Sequence, residues 1–334
     1  MTIPAALIRR ITAGAALLAL CALLTGCSAA MALMALEKWF KTDSPTQYKV
    51  FLDGYELGAV PSATGIVTLR GATEGAHLLT VAKAPDLRKG VHATVQVPAT
   101  RIVSLKDLNP FDGGVITGTV RRDSATGPLL GNVRVIAVLN AATLLAGGSG
   151  PIAIPQPGGT SLEYMMGYTD AAGRYKLGPA KYGDWLVVAA VAGFPADVQF
   201  THLASGVDGI ASLVLAPLDT ANTGNVRGTV SAKTGLALAS ALLTAKLGST
   251  FVPPIPAATR TRVATASGLS LPADDWFRWS TLTTLASAAG QYQLDLPLGA
   301  HSLEAYKFLY RATELPVDVT PGGAVALNFS LLPG

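Results

Sequence analysis

The stretch Thr169-Asp170-Ala171-Ala172-Gly173-Arg174-Tyr175-Lys176-Leu177 returns further along the chain as Ala286-Ser287-Ala288-Ala289-Gly290-Gln291-Tyr292-Gln293-Leu294. In both copies a polar residue and two alanines lead into a glycine, which takes the φ > 0 that a tight turn often needs. Tyr and Leu then follow at period two, so the pattern predicts a hairpin with Tyr175 and Leu177, and likewise Tyr292 and Leu294, on one sheet face. Other pairs flank it. Gly118-Thr119-Val120 matches Gly228-Thr229-Val230, Gly183 matches Gly299, and Leu213 to Pro217 matches Phe329 to Pro333. Self-similarity at about 110 residues is far longer than the roughly 20 to 50 residues of a solenoid unit, so it predicts tandem domains.

Composition agrees with an all-β chain of small sandwiches. The 334 residues hold 35 Gly and 21 Pro, which favours many turns over long helices. Charged residues are 14 % of the chain against about 25 % in ordinary soluble domains, and half of it is apolar, which argues against intrinsic disorder. A net charge of +4 is too weak for a nucleic-acid footprint.

At the N-terminus Arg9 and Arg10 precede an uncharged apolar run from Ile11 to Leu24, and Cys27 follows in Leu24-Thr25-Gly26-Cys27. This is the order of a secretory signal peptide, and the run of about 14 residues is short of the roughly 20 that span a bilayer. The last four residues resemble the lipobox of bacterial lipoproteins. That resemblance implies removal of residues 1–26, acylation of Cys27 and a membrane partner reached through it. Several acyl chains would hold firmly, because each buried CH₂ contributes about 0.8 kcal/mol. Cys21 falls in the discarded segment, so no disulfide or thiol chemistry is expected. Ser28, in place of Asp, resembles lipoproteins sent to the outer membrane. Residues 27–45 then read as lipidated Cys and tether.

Residues 46–108 carry five short strand candidates, with Asp53-Gly54 as a hairpin signal between the first strand and Tyr55. Phe51-Leu52-Asp53-Gly54, then Gly58 and Pro61, then Glu74-Gly75-Ala76-His77 before Leu78 to Val81 resemble the PEGA domain. That family implies a surface-associated β-module without catalysis. Residues 113–219 run Gly-Thr-Val, then the turn at Asp170, then Tyr182-Gly183-Asp184-Trp185 and Gly193-Phe194. They resemble the carboxypeptidase regulatory-like domain, a transthyretin-like (Ig-like) sandwich. Residues 223–333 repeat it, with Ser287 for Asp170 and Lys307-Phe308 at the corner. Such domains accompany peptidases without being the peptidase, so the resemblance implies folding, spacing or binding.

Catalytic and metal chemistry find no constellation. The four His (77, 92, 202 and 301) are isolated in sequence, and neither His-Glu-x-x-His nor Cys ligands occur in the mature chain. Around Ser149 the glycine due in a nucleophile elbow is Pro151. Asp170 reads as a turn former, since no Asp-x-Asp-x-Asp run supplies the six or so oxygens that Ca²⁺ takes. No catalytic residue, metal or cofactor is therefore expected.

Two insertions, Ala141 to Glu163 and Gly248 to Ser280, fall at the same point of each copy. The second ends in Asp274-Asp275-Trp276-Phe277-Arg278-Trp279, a candidate platform for sugar rings or a protein. Its alternative is that the aromatics start the next strand and cover the core, although three in four residues cannot all face inward. The sequence thus predicts a non-enzymatic, lipid-anchored envelope protein whose three β-modules project a binding or assembly surface for another envelope protein or a glycan. The alternative is a carbohydrate or peptidoglycan binder working through Trp276 and Trp279.

Overall fold

The computed structural model describes residues 43–140, 152–153, 163–189, 191, 196–216, 221–251, 255–268 and 277–334. The signal segment and Cys27 lie outside the described residues, as does the Gly193-Phe194-Pro195 corner. Asp53 and Gly54, at φ 50° and 78°, form the expected two-residue turn between β1 (Tyr48–Leu52) and β2 (Tyr55–Leu57), with Leu52 opposite Tyr55. β3 (Ile66–Thr68), β4 (Gly75–Lys83), β5 (Lys89–Val97), β6 (Ile102–Ser104) and β7 (Phe111–Asp112) complete this first group. It forms a five-stranded sheet, β2-β1-β4-β5-β7, and a β3–β6 pair, closed over Val50, Val67, Leu69, Leu79, Val81 and Leu105.

The second group runs β8 (Gly114–Arg122), β9 (Arg134–Leu139), β10 (Ile152–Ala153), β11 (Tyr164–Tyr168), β12 (Arg174–Ala180), β13 (Gly183–Ala189), β14 (Asp197–Leu203), β15 (Gly209–Ile210) and β16 (Leu213–Leu215). The third runs β17 (Thr223–Ala232), β18 (Leu242–Phe251), α1 (Ala257–Ser267), β19 (Phe277–Leu285), β20 (Gln291–Pro297), β21 (Gly299–Tyr306), β22 (Thr313–Val319), β23 (Ala324–Ala326) and β24 (Phe329–Leu331). Sheet β11-β9-β13-β14 of the second group corresponds to β19-β18-β21-β22 of the third. Sheet β12-β8-β15, with β16 on β8, corresponds to β20-β17-β23, with β24 on β17. The repeat seen in sequence is therefore a repeated all-β sandwich.

The shared residues have one geometric reason. A Cβ on Gly118 would sit 1.9 Å from the Ala211 carbonyl oxygen, and one on Gly228 would sit 1.9 Å from that of Leu327. Only glycine lets the connection between the last two strands cross so closely. The same carbonyls accept hydrogen bonds from the buried tyrosines: Tyr292 Oη donates to Leu327 O at 2.6 Å, and Tyr175 Oη donates to Ala211 O. The Gly-Thr-Val and turn-Tyr motifs, distant in sequence, thus close on a single point in each sandwich.

The turn before each tyrosine is tight, as expected. Gly173 (φ 65°) and Gly290 (φ 73°) donate to the carbonyls of Asp170 and Ser287, both at 2.9 Å. Asp170 is a turn former: its Oδ1 accepts from the amides of Ala172 and Arg174 at 2.9 Å each. The expected hairpin is corrected in one respect. β11 and β12 belong to different sheets, so the turn is a corner between layers, and Ser287 makes the same corner between β19 and β20. Local turn chemistry does not distinguish the two, because the corner is decided by which neighbour each strand pairs with.

The modules are not separated spacers. All six residues of β9 are buried. By the two-residue period of a strand, Val135, Ala137 and Leu139 face the core of their own sandwich, while Ile136 and Val138 join the core of the third group. Trp185 and Val187 divide from Leu186 and Val188 in the same way. One sheet is therefore covered on both faces, which places it as the middle layer of the body.

The insertions tie the copies together. β10, from the first insertion, pairs in parallel with β19 of the other copy, Ile152 opposite Phe277. From the second insertion, α1 packs back on β14. Asp197, 2 % exposed, accepts from Thr259 Oγ1 (2.9 Å), Arg262 Nη2 (2.5 Å) and the Val214 amide (2.6 Å). Each copy thus completes its neighbour.

Candidate functional site

The aromatic cluster expected at the end of the second insertion is divided by the fold. Asp274, Asp275 and Trp276 lie outside the described residues, and Phe277 and Arg278 open β19 through their backbone. Trp279 is 0 % exposed, within the shared core, so it is no surface stacking ring. Its physical partner is a residue that sequence reading passed over. The Arg134 guanidinium lies 4.9 Å from the centre of the Trp279 ring, donates to Thr281 Oγ1 at 3.1 Å and to Thr281 O at 2.5 Å, and is 7 % exposed. Burial pulls its pKa downward, although a guanidinium stays protonated at any physiological pH.

Arg134 begins β9 on the face of Ile136 and Val138, where the three groups of strands meet around a cavity of about 330 Å³. Asp53 and His77 line it from the first group, Arg134 and Tyr168 from the second, and Lys246 and Glu304 from the third. The Asp53 side chain accepts from the Leu78 amide at 2.8 Å, and its other oxygen stands 2.6 Å from His77 Nδ1. Burial lowers the His77 pKa, but the Asp53 carboxylate outweighs it, and the net shift is upward.

His77 Nε2 also stands 3.3 Å from Thr73 Oγ1, which puts Thr73, His77 and Asp53 in the order of nucleophile, base and orienting acid. The arrangement does not serve as one. Nε2 is 3.1 Å from the Thr73 carbonyl oxygen, which repels a lone pair and accepts an N–H. Both ring nitrogens face oxygen acceptors, Asp53 and Thr73 O, so the contacts suit a donor at each and leave no lone pair aimed at Thr73 Oγ1.

The other histidines, isolated in sequence, also acquire partners. His92 Nε2 is 3.0 Å from Glu163, which Lys181 holds at 2.8 Å. His202 Nδ1 is 2.6 Å from Asp184. His301 Nδ1 accepts the Gly248 amide at 3.1 Å, and its Nε2 donates to Pro297 O at 2.8 Å. Among the described residues no three His, Cys, Asp or Glu side chains converge as metal ligands, and no helix is long and apolar enough to cross a membrane.

Fold and site together define an all-β chain of tandem sandwich modules meeting at a polar junction. No family model matches the chain, and no curated protein matches it. Among solved structures it is similar to the Bacillus anthracis TIE protein, at 12% identity and TM-score 0.22 over 87% of this chain and 50% of that one. The chain thus spans half the length of that protein. It is similar also to GBS52, the minor pilin of Streptococcus agalactiae (12% identity, TM-score 0.23, 66% of this chain and 97% of that one). The third is the shaft pilin SpaA of Lactobacillus rhamnosus GG (10% identity, TM-score 0.25, 66% and 98%). TM-scores this low transfer neither an activity nor an arrangement of modules.

Proposed function

We propose that this chain is a non-enzymatic, lipid-anchored protein of the bacterial cell envelope that offers a rigid surface for assembly with another envelope protein. In that reading residues 1–26 are a signal peptide and 27–45 a lipidated Cys27 with its tether. Residues 46–108 form a PEGA-like module, and 113–219 and 223–333 two carboxypeptidase regulatory-like sandwiches. The observation that supports it best is the burial of β9 on both faces, because a middle layer shared by neighbouring modules makes one stiff body. The first described residue is also held: Asp43 accepts from Lys83 at 2.6 Å and Lys89 at 2.7 Å, which would fix the point where a tether leaves the body.

An outer-membrane address follows from Ser28 by resemblance alone. The glycan alternative loses Trp279 to the core and retains only Trp276 with its neighbours Asp274, Asp275, Phe277 and Arg278. Membrane fractionation of wild type and Cys27→Ala tests the anchor, with the wild type in the membrane pellet and the variant soluble. A variant that still pellets with membranes contradicts lipidation. Cross-linking in whole cells tests assembly, and a chain that cross-links to no envelope protein contradicts it.

A further inference from the structure

A larger cavity, a cleft of about 740 Å³, also lies where the three groups of strands meet, between β1 and β2 of the first, β11 and β12 of the second and Lys307 of the third. β2 and β12 are each the end strand of a sheet, and Tyr55–Leu57 and Arg174–Leu177 line the cleft residue after residue. Leu57, Tyr175 and Leu177 turn their side chains into the cores, so the cleft meets these strands at their main chain. In an antiparallel pair, alternate residues point their N–H and C=O away from the partner strand. On β2 that residue is Glu56, because Leu52 and Tyr55 close the two-residue turn. On β12 they are Arg174 and Lys176. Asp170 satisfies Arg174, donating its amide to the Arg174 carbonyl and accepting the Arg174 amide on Oδ1. The outward N–H and C=O of Glu56 and Lys176 pair with no strand among the described residues.

The charge of the cleft is uneven. Lys49 is matched by Glu56 at 2.8 Å and Arg174 by Asp170 at 3.0 Å, one to one, and these are the two carboxylates of the lining. The remaining cations, Lys176 and Lys307, reach neutral oxygens instead: Pro85 O and Tyr55 Oη, both at 3.2 Å. Lys307 is half-buried, and loss of water pulls its pKa downward with no carboxylate beside it to offset the shift. Phe51 and Leu285 add apolar surface to the wall. We propose that this cleft binds an extended, acidic segment of a partner protein, its main chain pairing with the open sheet edges and its carboxylates on Lys176 and Lys307. An unpaired strand edge is a template for another strand, and a peptide main chain offers donor and acceptor side by side at the spacing such an edge presents. Two unmatched ammonium groups select acidic side chains over basic ones. The volume falls within the range of ligand pockets. Access is open, since the Glu56 and Arg174 side chains are 51% and 70% exposed.

This inference gives the assembly reading a place and a partner chemistry, and rests on that reading only for the partner being an envelope protein. The test is fluorescence anisotropy of fluorescein-labelled Val-Glu-Val-Glu-Val amide titrated with the full chain at constant ionic strength. The controls are the Val-Lys counterpart and the Val-Glu peptide methylated at its main-chain nitrogens. Saturable binding of the Val-Glu peptide is expected, with each control weaker by about tenfold or more. Lys176→Gln and Lys307→Gln together weaken the Val-Glu peptide by about tenfold. Should the double variant not fold, Lys176→Gln alone, at an exposed side chain, weakens it by about threefold. Equal binding of either control, or no saturable binding of the Val-Glu peptide, which leaves the cleft to water or to another part of the chain, overturns the proposal. Whole-cell cross-links that persist when peptide binding fails move assembly to another face. Their absence with peptide binding intact removes the assembly reading and leaves the cleft.

Discussion

Arg134 of the second group of strands lies over the ring of Trp279 of the third, 4.9 Å from guanidinium carbon to ring centre. The contact joins two modules at a point where both residues are nearly inaccessible to water. Trp279→Ala removes a fully buried indole and leaves a void beneath the guanidinium. Loss of about 3–5 kcal/mol of unfolding free energy is expected, by chemical denaturation. Trp279→Phe, which keeps an aromatic face, loses much less.

The two sandwiches share a tyrosine-to-carbonyl bond, and equal substitutions should have parallel effects. Tyr292→Phe removes the donor to Leu327 O and costs about 1–3 kcal/mol, because a buried acceptor is left without its partner. Tyr175→Phe does the same at Ala211 O. Gly228→Ala and Gly118→Ala cost more than either, since a methyl 1.9 Å from a carbonyl oxygen forces the crossing strands apart. Denaturant midpoints of the four variants test this order.

The His77–Asp53 pair makes stability depend on pH with a definite sign. The folded pKa of His77 lies above its ordinary 6.5, so the pair's contribution is fully present below about pH 6.5 and fades as pH rises through the folded value. His77→Gln should flatten the stability profile as pH rises above about 6.5. A variant whose profile superimposes on that of wild type across this window refutes the assignment.

Helix α1 is docked through one buried carboxylate. Arg262→Met leaves Asp197 with Thr259 and the Val214 amide but no cation. Loss of one partner of a buried pair costs about 3–5 kcal/mol, and the 41% exposure of Arg262 discounts this to roughly 1–3 kcal/mol. Hydrogen exchange should accelerate over Ala257–Ser267 and β14 together, with β17 and β20 unchanged.

The chain's turns and most of its strands were legible because their signals are local. Asp53-Gly54, Gly173 and Gly290 each need positive φ, and Gly118 and Gly228 carry the repeat. The short strands β7 and β11, and β14 as well, carry no comparable local mark, and the helix Ala257–Ser267 sits in a stretch that read as an irregular insertion. Val135 to Leu139 and Trp185 to Ala189 are unbroken apolar runs, as strands buried on both faces are, and they announce a third layer over the second sandwich. Arg134 was not legible as a junction residue, because Asp53, Thr281 and Glu304 are brought beside it from other modules. Trp279 looked available for the opposite reason: among neighbouring aromatics, nothing local tells which one turns inward.

The central structural claim is that the three groups of strands form one body around a shared middle sheet. Native-state hydrogen exchange of the full chain tests it most directly. The amides of Arg134–Leu139 should be among the slowest in the protein and exchange only with global unfolding, at the same free energy as the cores of the first and third groups. Exchange of β9 at a lower free energy than those two cores, with the modules opening independently, would contradict the claim.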